Sequence, residues 1–377
     1  MASQLKHLVH GMGTTLEAPT WPAIAADEAE AVLAHFPTAG RITGLHWHSP
    51  RPFSAATLLH TTNGAFLLKR HHHLVRTVEG LAEEHAFIAH LAGAGVSVPE
   101  VIATAGGASA VAIGPWSYEL HRQAAGEDLY RDRLSWTPFL SIDHAYAAGA
   151  ALAELHVAAR GFGAPARRRQ PLVSSFTILP AADPAAAARA YVAARPALAA
   201  FLADRPWQAQ LARLFEQADS DLSPLLAGQA PLWTHNDWHP SNLLWTREGV
   251  VRTVFDFGLA DRTTAVHDIA TAIERTAVRW LDLGQGEDDA IADPETALAL
   301  LAGYATVLPL SRAGIAAIVA LLPLVHVEFA LSEAEYFTAV VSDTASAAMA
   351  WDGYLIDHAD WFFSPAGQDF LRRIARS

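Results

Sequence analysis

A short β-hairpin pattern within a helical part of the sequence constrains the fold of this chain most. Two apolar segments, residues 243–245 and 250–255, are separated by a polar turn at 246–249, while the sequence on both sides has helical patterns. A hairpin returns the chain to its starting point, so the segments before and after it must lie side by side. The sequence therefore predicts a small β-ribbon, inserted among helices, that brings two flanking segments together.

Both flanking segments carry polar side chains suited to chemistry. Residues 235–242 are His-Asn-Asp-Trp-His-Pro-Ser-Asn, and residues 256–258 are Asp-Phe-Gly. The hairpin is expected to place Asp256 beside Asp237 and Asn242. Mg²⁺ prefers hard oxygen ligands, which suits Asn242 and Asp256, while Asp237, kept off the metal, can orient and deprotonate an attacking hydroxyl group. Either segment alone is common by chance, but the two in this order around one hairpin predict a functional site.

The use of lysine points to a second part of the site. Only two of the 26 basic residues are lysines, Lys6 and Lys69. Lys69 ends a short apolar segment with a strand pattern, where a compact ammonium can reach nucleotide phosphates and a guanidinium fits poorly. A solvated strand end is the ordinary explanation for any single lysine, but the scarcity of lysine elsewhere favours a functional role.

The helix predicted after this strand, residues 78–94, offers a counter-charge for Lys69. Glu84 shares one face of that helix with three apolar residues at spacings of three and four. Because this face should turn inward, we expect Glu84, rather than the neighbouring Glu83, to pair with Lys69.

The 377 residues suffice for two domains. Strand patterns surround the helix at 78–94, and Asn63-Gly64 is a hairpin turn signal. After Gly126 the composition changes to Ala- and Leu-rich helical patterns. These cover residues 142–159, 184–204, 206–218, 266–283 and most of 297–348. We predict an α+β fold: a β-rich lobe at residues 1–125 with a small antiparallel sheet and one main helix, a hinge at about 122–127, and a mostly α-helical lobe at 126–377.

The chain resembles the aminoglycoside phosphotransferase and choline kinase superfamily, small-molecule kinases with a two-lobed, protein-kinase-like fold. The spacing from Asp237 to Asn242 equals that between the catalytic aspartate and the metal-binding asparagine of the kinase catalytic loop. The resemblance covers about residues 41–277. It rests on Lys69, Glu84, residues 95–99 (Gly-Val-Ser-Val-Pro), 153–156 (Ala-Glu-Leu-His), 235–242 and 256–258, and Asp268.

This resemblance implies an enzyme that uses ATP and Mg²⁺ to move the γ-phosphoryl group to a hydroxyl of a small molecule. It implies that Asp237 is the catalytic base and that Asn242 and Asp256 bind magnesium. Lys69, paired with Glu84, would hold the phosphates. A protein Ser/Thr kinase and a catalytically silent nucleotide-binding pseudokinase stay open as alternatives, although the intact set of residues argues against the pseudokinase.

Further residues receive roles from the same resemblance. The backbone around Gln123 to Ala125 would contact adenine. His235 and Asp268 would brace the catalytic loop from inside, and we expect both to be buried and hydrogen-bonded, since an unpaired buried carboxylate is costly.

The sequence departs from the protein-kinase pattern in three places. Asn236 stands where protein kinases carry arginine, and only eleven residues separate Asp256 from Asp268, which leaves little room for a regulatory activation loop. The glycine-rich phosphate loop is missing, and residues 48–54 (His-Ser-Pro-Arg-Pro-Phe-Ser) occupy its expected place.

Other motifs admit different interpretations. His235, Asp237 and His239 have metal-ligand spacing and suggest a metal-dependent hydrolase, but this leaves the remaining polar residues of the site without a role. For residues 71–73 (His-His-His) we favour a solvated strand end, and for residues 167–169 (Arg-Arg-Arg) a surface loop, over a binding role.

The sequence does not name the acceptor. Cationic acceptors such as amino alcohols or amino sugars would suit a set of acids mixed with tryptophans in the helical lobe. That set comprises Asp282, Glu287, Asp288, Asp289, Glu328, Glu333, Glu335, Trp280, Trp351 and Trp361. Arg275 and Arg279 would instead suit an acceptor with a carboxylate, such as a hydroxy amino acid of the homoserine type. A solvated or ion-paired helix face is the alternative that we favour slightly for the two arginines.

Composition limits the remaining possibilities. The net charge of -13 argues against general binding to nucleic acid or anionic membranes. The absence of cysteine excludes disulfides and thiol catalysis. Residues 1–13 contain no apolar run of signal-peptide length, so a cytoplasmic location is expected. The oligomeric state is left open.

Overall fold

The computed structural model describes residues 8–10, 16–131, 133–218 and 222–377. The chain divides into two compact units, Met1–Ala125 and Gly126–Ser377, called here the N-unit and the C-unit. Lys6 and most of the N-terminal segment 1–13 lie outside the described residues. Within the described ranges, no helix combines the length and apolar character required for a membrane span.

The N-unit is built on an antiparallel sheet. Its elements are β1 (Val9–His10), β2 (Leu16–Glu17), α1 (Ala26–Leu33), β3 (Ile42–His48), β4 (Ala55–Thr61), β5 (Gly64–His72), α2 (Val78–Gly93), β6 (Val111–Ile113) and β7 (Trp116–Arg122). Strands β3 to β7 form one five-stranded sheet in the order β3-β4-β5-β7-β6. The predicted antiparallel sheet with one main helix is therefore present.

Local sequence explains the arrangement around the central strand β5. Thr61 pairs with Gly64, so Thr62 and Asn63 form a tight hairpin turn between β4 and β5, and Gly64 has a φ of +127° that a side chain would oppose. In α2 the predicted inward face is buried, including Glu84. Residues 49–54 connect β3 to β4.

The C-unit is mostly helical. Its α-helices are α3 (Ile142–Ala159), α4 (Pro184–Ala193), α5 (Pro196–Leu202), α6 (Trp207–Gln217), α7 (Leu222–Ala227), α8 (Ala265–Thr276), α9 (Pro294–Ala305), α10 (Arg312–Leu321), α11 (Val327–Tyr336), α12 (Thr344–Ala348), α13 (His358–Phe363) and α14 (Pro365–Ile374). Its strands are β8 (Pro231–Thr234), β9 (Leu243–Trp245), β10 (Val251–Val254) and β11 (Asp261–Thr264). The strands form two antiparallel pairs, β9 with β10 and β8 with β11.

Two helix predictions in the C-unit need correction. The single helix expected at 184–204 is two helices, because Pro196 cannot donate a backbone hydrogen bond and forces Arg195 out of the helical conformation. The helix expected at 266–283 ends at Thr276 and is followed by a separate 3₁₀ turn, Trp280–Asp282.

Two glycines allow helices α3 and α9 to cross at very short distance. A Cβ added at Gly149 would overlap the carbonyl oxygen of Leu300, and one added at Gly303 would overlap that of Tyr146. The obstructing atoms are backbone, which cannot move aside as a flexible side chain can. This contact fixes α3 in the C-unit.

We expect Gly149→Ala to lower the free energy of unfolding by ~3 kcal/mol, since overpacking against backbone forces the two helices apart. Gly353→Ala is the matched control, because Gly353 lies in a π-helical segment, Met349–Asp357, where a Cβ meets no atom within 4 Å and alanine is the better helix former. Urea unfolding of both variants checks the prediction. Equal stability of the two variants would contradict it.

Candidate active site

The β-ribbon formed by β9 and β10 positions the polar segments on either side of it. Leu243 pairs with Val254, and the backbone N–H of Phe255 donates to the carbonyl of Asn242 at 3.1 Å. These contacts bring the segment that starts at Asp256 next to the segment that ends at Asn242. The hairpin thus forms as the sequence predicts.

Asp237 lies in this loop with a partly exposed side chain and fixed neighbours. The Asn242 side-chain Nδ2 donates to Asp237 Oδ2 at 2.8 Å and to the Asp237 carbonyl at 3.0 Å. His239 Nε2 lies 3.4 Å from Asp237 Oδ1. The carboxylate is therefore held in one orientation, and its 18 % exposure leaves it accessible.

The donor set of the same loop fits a magnesium ion. Because the side-chain nitrogen of Asn242 donates to Asp237, the Oδ1 oxygen of Asn242 is the side-chain atom that can coordinate a metal ion. Asp256 adds a carboxylate and adopts a left-handed conformation with φ of +59°, which aspartate tolerates better than most residues. An amide oxygen and a carboxylate are hard ligands of the kind that Mg²⁺ prefers.

A buried carboxylate holds the backbone of this loop. Asp268 on α8 is fully buried. Its oxygens accept the backbone N–H groups of His235 at 2.9 Å and Asn236 at 2.8 Å, and its Oδ2 lies 3.0 Å from His156 Nε2. Asn236 has φ of +59°, so this anchoring maintains a conformation that is unfavourable for a non-glycine residue.

Charge and burial oppose each other at Asp268. Burial raises the pKa of this carboxyl, but the hydrogen bond and charge of His156, with His235, outweigh burial and hold the pKa below its usual value. Burial lowers the pKa of His235. Asp268 is therefore ionised and His235 is neutral near pH 7.

The hydrogen bonds of His235 argue against the metal-hydrolase interpretation. Its Nε2 donates to the carbonyl of Phe255 at 3.0 Å, and its Nδ1 accepts the backbone N–H of Asp237 at 3.2 Å. Both ring nitrogens are thus used inside the loop, and neither is available for zinc. The expected burial and hydrogen bonding of His235 and Asp268 are both observed.

In the N-unit, Lys69 lies on the central strand β5 and is directed away from bulk solvent. Its side chain is 13 % exposed, and its Nζ lies 3.6 Å from Glu119 Oε1. Glu119 is the residue opposite Lys69 on β7. The sheet register itself therefore supplies a carboxylate to Lys69.

Glu119 also accepts hydrogen bonds from three histidine side chains. Nε2 of His71 lies 2.9 Å from its Oε1, and Nε2 of His85 and His121 lie 2.6 and 2.8 Å from its Oε2. Burial would raise the pKa of Glu119, but Lys69 and then His121 hold it well below its usual range. Glu119 is therefore a fully buried, ionised carboxylate.

The other residues predicted for nucleotide binding also lie in the N-unit. Glu84 is buried on α2, and its pairing with Lys69 stays a prediction. The backbone N–H of Gln123 donates to the carbonyl of Ala65 at 3.0 Å, which ties the segment 123–125 to the start of β5. Contact of Gln123 and Ala125 with adenine also stays a prediction.

Residues 52–310, more than half of the chain, match the phosphotransferase enzyme family. The chain belongs to this family. The resemblance found in the sequence and the prediction of a phosphotransferase are thus confirmed. No curated protein matches the chain in sequence.

Solved structures share the fold of this phosphotransferase. The microcompartment-associated aminopropanol kinase is 18% identical to this chain, with a TM-score of 0.58. The match covers 91% of this chain and 99% of that chain. The amicoumacin kinase hAmiN, in complex with AMP-PNP, Ca²⁺ and Ami, is 16% identical, with TM-score 0.57 and coverage of 88% and 92%. An aminoglycoside phosphotransferase from Alicyclobacillus acidocaldarius is 17% identical, with TM-score 0.52 and coverage of 93% and 97%. The predicted kinase-like α+β fold is confirmed.

From the sequence we favoured a solvated or ion-paired helix face for Arg275, and in the phosphotransferase Arg275 is ion-paired but buried rather than solvated. Its side chain is 1 % exposed, and its Nη1 contacts Oδ1 of Asp237. Arg279 is exposed and pairs with Asp282 at 2.9 Å, as expected of a solvated, ion-paired residue. The two arginines therefore differ in role although they are only four residues apart, because α8 ends between them.

The acids considered for the acceptor site also separate into two groups. Asp282, Glu287, Asp288 and Asp289 are exposed. Glu328 and Glu333 are buried, and Glu335 pairs with Arg195 at 2.9 Å. Glu328 accepts hydrogen bonds from Ser175, Thr177 and Ile178, whereas Glu333 Oε2 has no hydrogen-bond partner among the described residues. Burial raises the pKa of Glu333 to about 8, although Arg275 opposes the rise.

The three tryptophans proposed to line a cation pocket belong to the core. Trp280, Trp351 and Trp361 are all buried. Trp280 stacks on the ring of His358 with centroids 3.8 Å apart, and the indole N–H of Trp361 donates to the carbonyl of Asp288 at 2.8 Å. Packing within the C-unit thus accounts for these tryptophans.

Two further preferences from the sequence are wrong in part. Arg167 is buried rather than on a surface loop, and its Nη1 donates to the carbonyl of Gly258 at 2.9 Å, so it supports the segment after Asp256. His71 is buried against Glu119 rather than solvated, while His73 is exposed.

Sequence reasoning missed Glu119 and Trp136. A charged residue in the middle of the otherwise buried pattern of β7 is a signal that could have identified Glu119, because such residues are rarely buried without a partner. Trp136 lies over Arg275 at 5.0 Å from ring centroid to guanidinium carbon, but no sequence pattern links residues so far apart along the chain.

Proposed function

We propose that this phosphotransferase moves the γ-phosphoryl group of ATP to a hydroxyl of a small molecule in a Mg²⁺-dependent reaction. The acceptor classes considered are amino alcohols, hydroxy amino acids, and aminoglycosides or sugars. One observation carries the proposal: Asp237, oriented by Asn242, lies in a loop whose backbone is fixed by buried Asp268. A carboxylate held in this way suits a general base for an alcohol.

In the proposed reaction, Asp237 accepts the proton of the acceptor hydroxyl. The hydroxyl oxygen forms a bond to the γ-phosphorus while the bond from that phosphorus to the oxygen bridging to the β-phosphate breaks. The electron pair of the broken bond leaves with ADP. Most of the rate acceleration then comes from positioning and charge neutralisation.

Asn242 and Asp256 would hold the magnesium ion. When bound, the ion neutralises phosphate charge and orients the phosphates. Arg167 supports the backbone that follows Asp256, and the β9–β10 ribbon fixes the backbone that precedes it. The left-handed conformation of Asp256 is thus maintained from both sides.

Lys69 would bind the α- and β-phosphates, with Gln123 to Ala125 against the adenine. We propose that Glu119 positions the Lys69 ammonium, since the two are opposite each other in the sheet and 3.6 Å apart. Three histidines donate to the same carboxylate, which fixes its orientation. Glu84 on α2 is the second candidate partner of Lys69.

The proposal is tested by ADP release in the presence of MgATP and a panel of amino alcohols, hydroxy amino acids, sugars and aminoglycosides, with mass spectrometry of the acceptor. We expect acceptor-dependent ADP release and a product that has gained one phosphoryl group. Phosphate found in added protein instead of the small molecules would favour a protein kinase. ATP binding without turnover on any acceptor would favour a pseudokinase.

We expect Glu119→Gln to raise the KM for MgATP about tenfold, equivalent to ~1.4 kcal/mol, with a smaller change in kcat. Without its charged partner, the Lys69 ammonium loses its fixed position. Steady-state kinetics at varied MgATP measures this effect. Glu79→Gln, at an exposed position of the same unit, is the control and should leave KM unchanged.

Thermal melting of both variants separates a local effect from unfolding. A folded Glu119→Gln protein with the KM of the wild type would show that Lys69 is positioned by another residue.

A further inference from the structure

A buried positive charge lies directly beside the proposed catalytic base. Arg275 on α8 is 1 % exposed and contacts Asp237 Oδ1, while its Nε has no hydrogen-bond partner in the described parts of the chain. Burying a guanidinium is costly unless its N–H groups are satisfied. The contact with Asp237 and the side-chain hydrogen bond with Tyr354 do not satisfy all five N–H donors of the group.

A buried carboxyl group lies near this arginine but forms no ion pair with it in the described structure. Glu333 on α11 is 1 % exposed, and its Oε2 lacks a hydrogen-bond partner within the described ranges. The charge of Arg275 acts on Glu333, yet no ion pair within 4.0 Å joins them in the described structure.

Three aromatic side chains surround the same arginine. The guanidinium carbon of Arg275 lies 5.0 Å from the ring centroid of Trp136 and 5.1 Å from that of Phe329. Tyr354 lies 5.0 Å from Trp136 between centroids. Trp136 has φ of +59°, an unfavourable conformation for a bulky residue that is typical of functional sites.

We propose that this group of side chains is the acceptor site and that the acceptor is a small hydroxy amino acid. The proposal rests on the phosphotransferase function proposed above. Arg275 binds the carboxylate of the acceptor, Glu333 binds its ammonium group, and the side-chain hydroxyl lies against Asp237. The carboxylate of the acceptor would thereby meet guanidinium N–H groups that Asp237 leaves unpaired, and its ammonium group would meet the unpaired Glu333 oxygen.

The position of Arg275 also limits the size and charge of the acceptor. Because Arg275 touches Asp237, the carboxylate and the reacting hydroxyl must be only a few bonds apart. A polycationic acceptor would place ammonium groups against the Arg275 guanidinium, and like charges in contact are unfavourable. Small zwitterions are therefore favoured over aminoglycosides.

The test compares acceptors that differ by one charged group. L-homoserine is compared with aminopropanol, which lacks the carboxylate, and with γ-hydroxybutyrate, which lacks the ammonium group. L-serine, ethanolamine and β-hydroxypropionate form a shorter matched series. With the full-length protein and MgATP, we expect kcat/KM for one zwitterion to exceed that of both its partners at least thirtyfold.

The outcomes separate the two proposals. If no zwitterion exceeds its matched partners, while an amino alcohol, a sugar or an aminoglycoside is phosphorylated, the acceptor assignment is wrong and the phosphotransferase function stands. If no acceptor of any class is phosphorylated, both proposals fail.

Two near-isosteric variants assign the charges. Because Arg275 also contacts Asp237, Arg275→Gln should lower kcat/KM for every acceptor, but its effect on the zwitterion should exceed its effect on the amino alcohol at least thirtyfold. Glu333→Gln should affect the zwitterion and the amino alcohol but spare the hydroxy acid. A loss of stability alone would lower all three rates together. Equal losses for all acceptors in both variants would contradict the assignment, and Arg275→Lys should restore part of the carboxylate preference.

Discussion

Asp237→Asn is expected to reduce kcat by about 10³-fold, within the range that general-base catalysis contributes. Asparagine keeps the size of the side chain but cannot accept the proton of the acceptor hydroxyl. The loop backbone is held by Asp268 rather than by Asp237, so the fold should be retained. Initial rates of ADP release at saturating MgATP and acceptor measure the change.

The matched control is Asp204→Asn, at an exposed position of the same unit, which should keep the rate of the wild type. The KM for MgATP of Asp237→Asn should stay within about threefold of the wild type, because the proposed nucleotide contacts are made by other residues. Turnover at the wild-type rate by the asparagine variant would remove Asp237 from the mechanism.

Asp268→Asn is expected to lower the free energy of unfolding by ~4 kcal/mol, as for the loss of one partner from a buried charged network. The carboxylate accepts two backbone N–H groups and the His156 ring. The side-chain amide of asparagine has only one acceptor oxygen, so its NH₂ group would face one of the backbone N–H donors and leave that donor unpaired. Urea unfolding at pH 7 measures the difference, with Asp204→Asn as the reference.

The effect of Asp268→Asn should depend on pH with a defined sign. Because the pKa of Asp268 is lowered in the folded protein, its stabilisation is complete above the ordinary value of about 3.9 and is lost as the pH falls below it. The difference between wild type and variant should therefore be constant from pH 7 to 5 and shrink below pH 4. A difference that grows on acidification would contradict the assigned ionisation.

The β9–β10 ribbon and the loop before it could be predicted from the sequence because their signals are local. Asp237, Asn242 and Asp256 lie within a few residues of one hairpin, so turn geometry alone brings them together. The buried face of α2 follows equally from a spacing of three and four residues. Asp268 was indicated by the resemblance to the kinase superfamily rather than by a local pattern.

The contacts that sequence reasoning missed depend on packing between distant segments. Glu119 faces Lys69 because β7 pairs with β5 in a particular register, which neither strand specifies alone. Arg275 and Trp136 are brought together by the fold of the C-unit. Arg167 was interpreted as a surface residue because the two residues that follow it are also arginines. Only the structure shows that its guanidinium donates a hydrogen bond to the carbonyl of Gly258.

If Glu333 binds the ammonium group of the acceptor as proposed, the ionisation of Glu333 links acceptor binding to protons. With a pKa of about 8, this carboxyl is mostly protonated at neutral pH while the site is empty. An ammonium group can bind the ionised form far better than the acid, so each binding event would expel a proton into solution. Mildly alkaline conditions would thus strengthen substrate capture, and the enzyme would sense pH through the group that recognises its substrate.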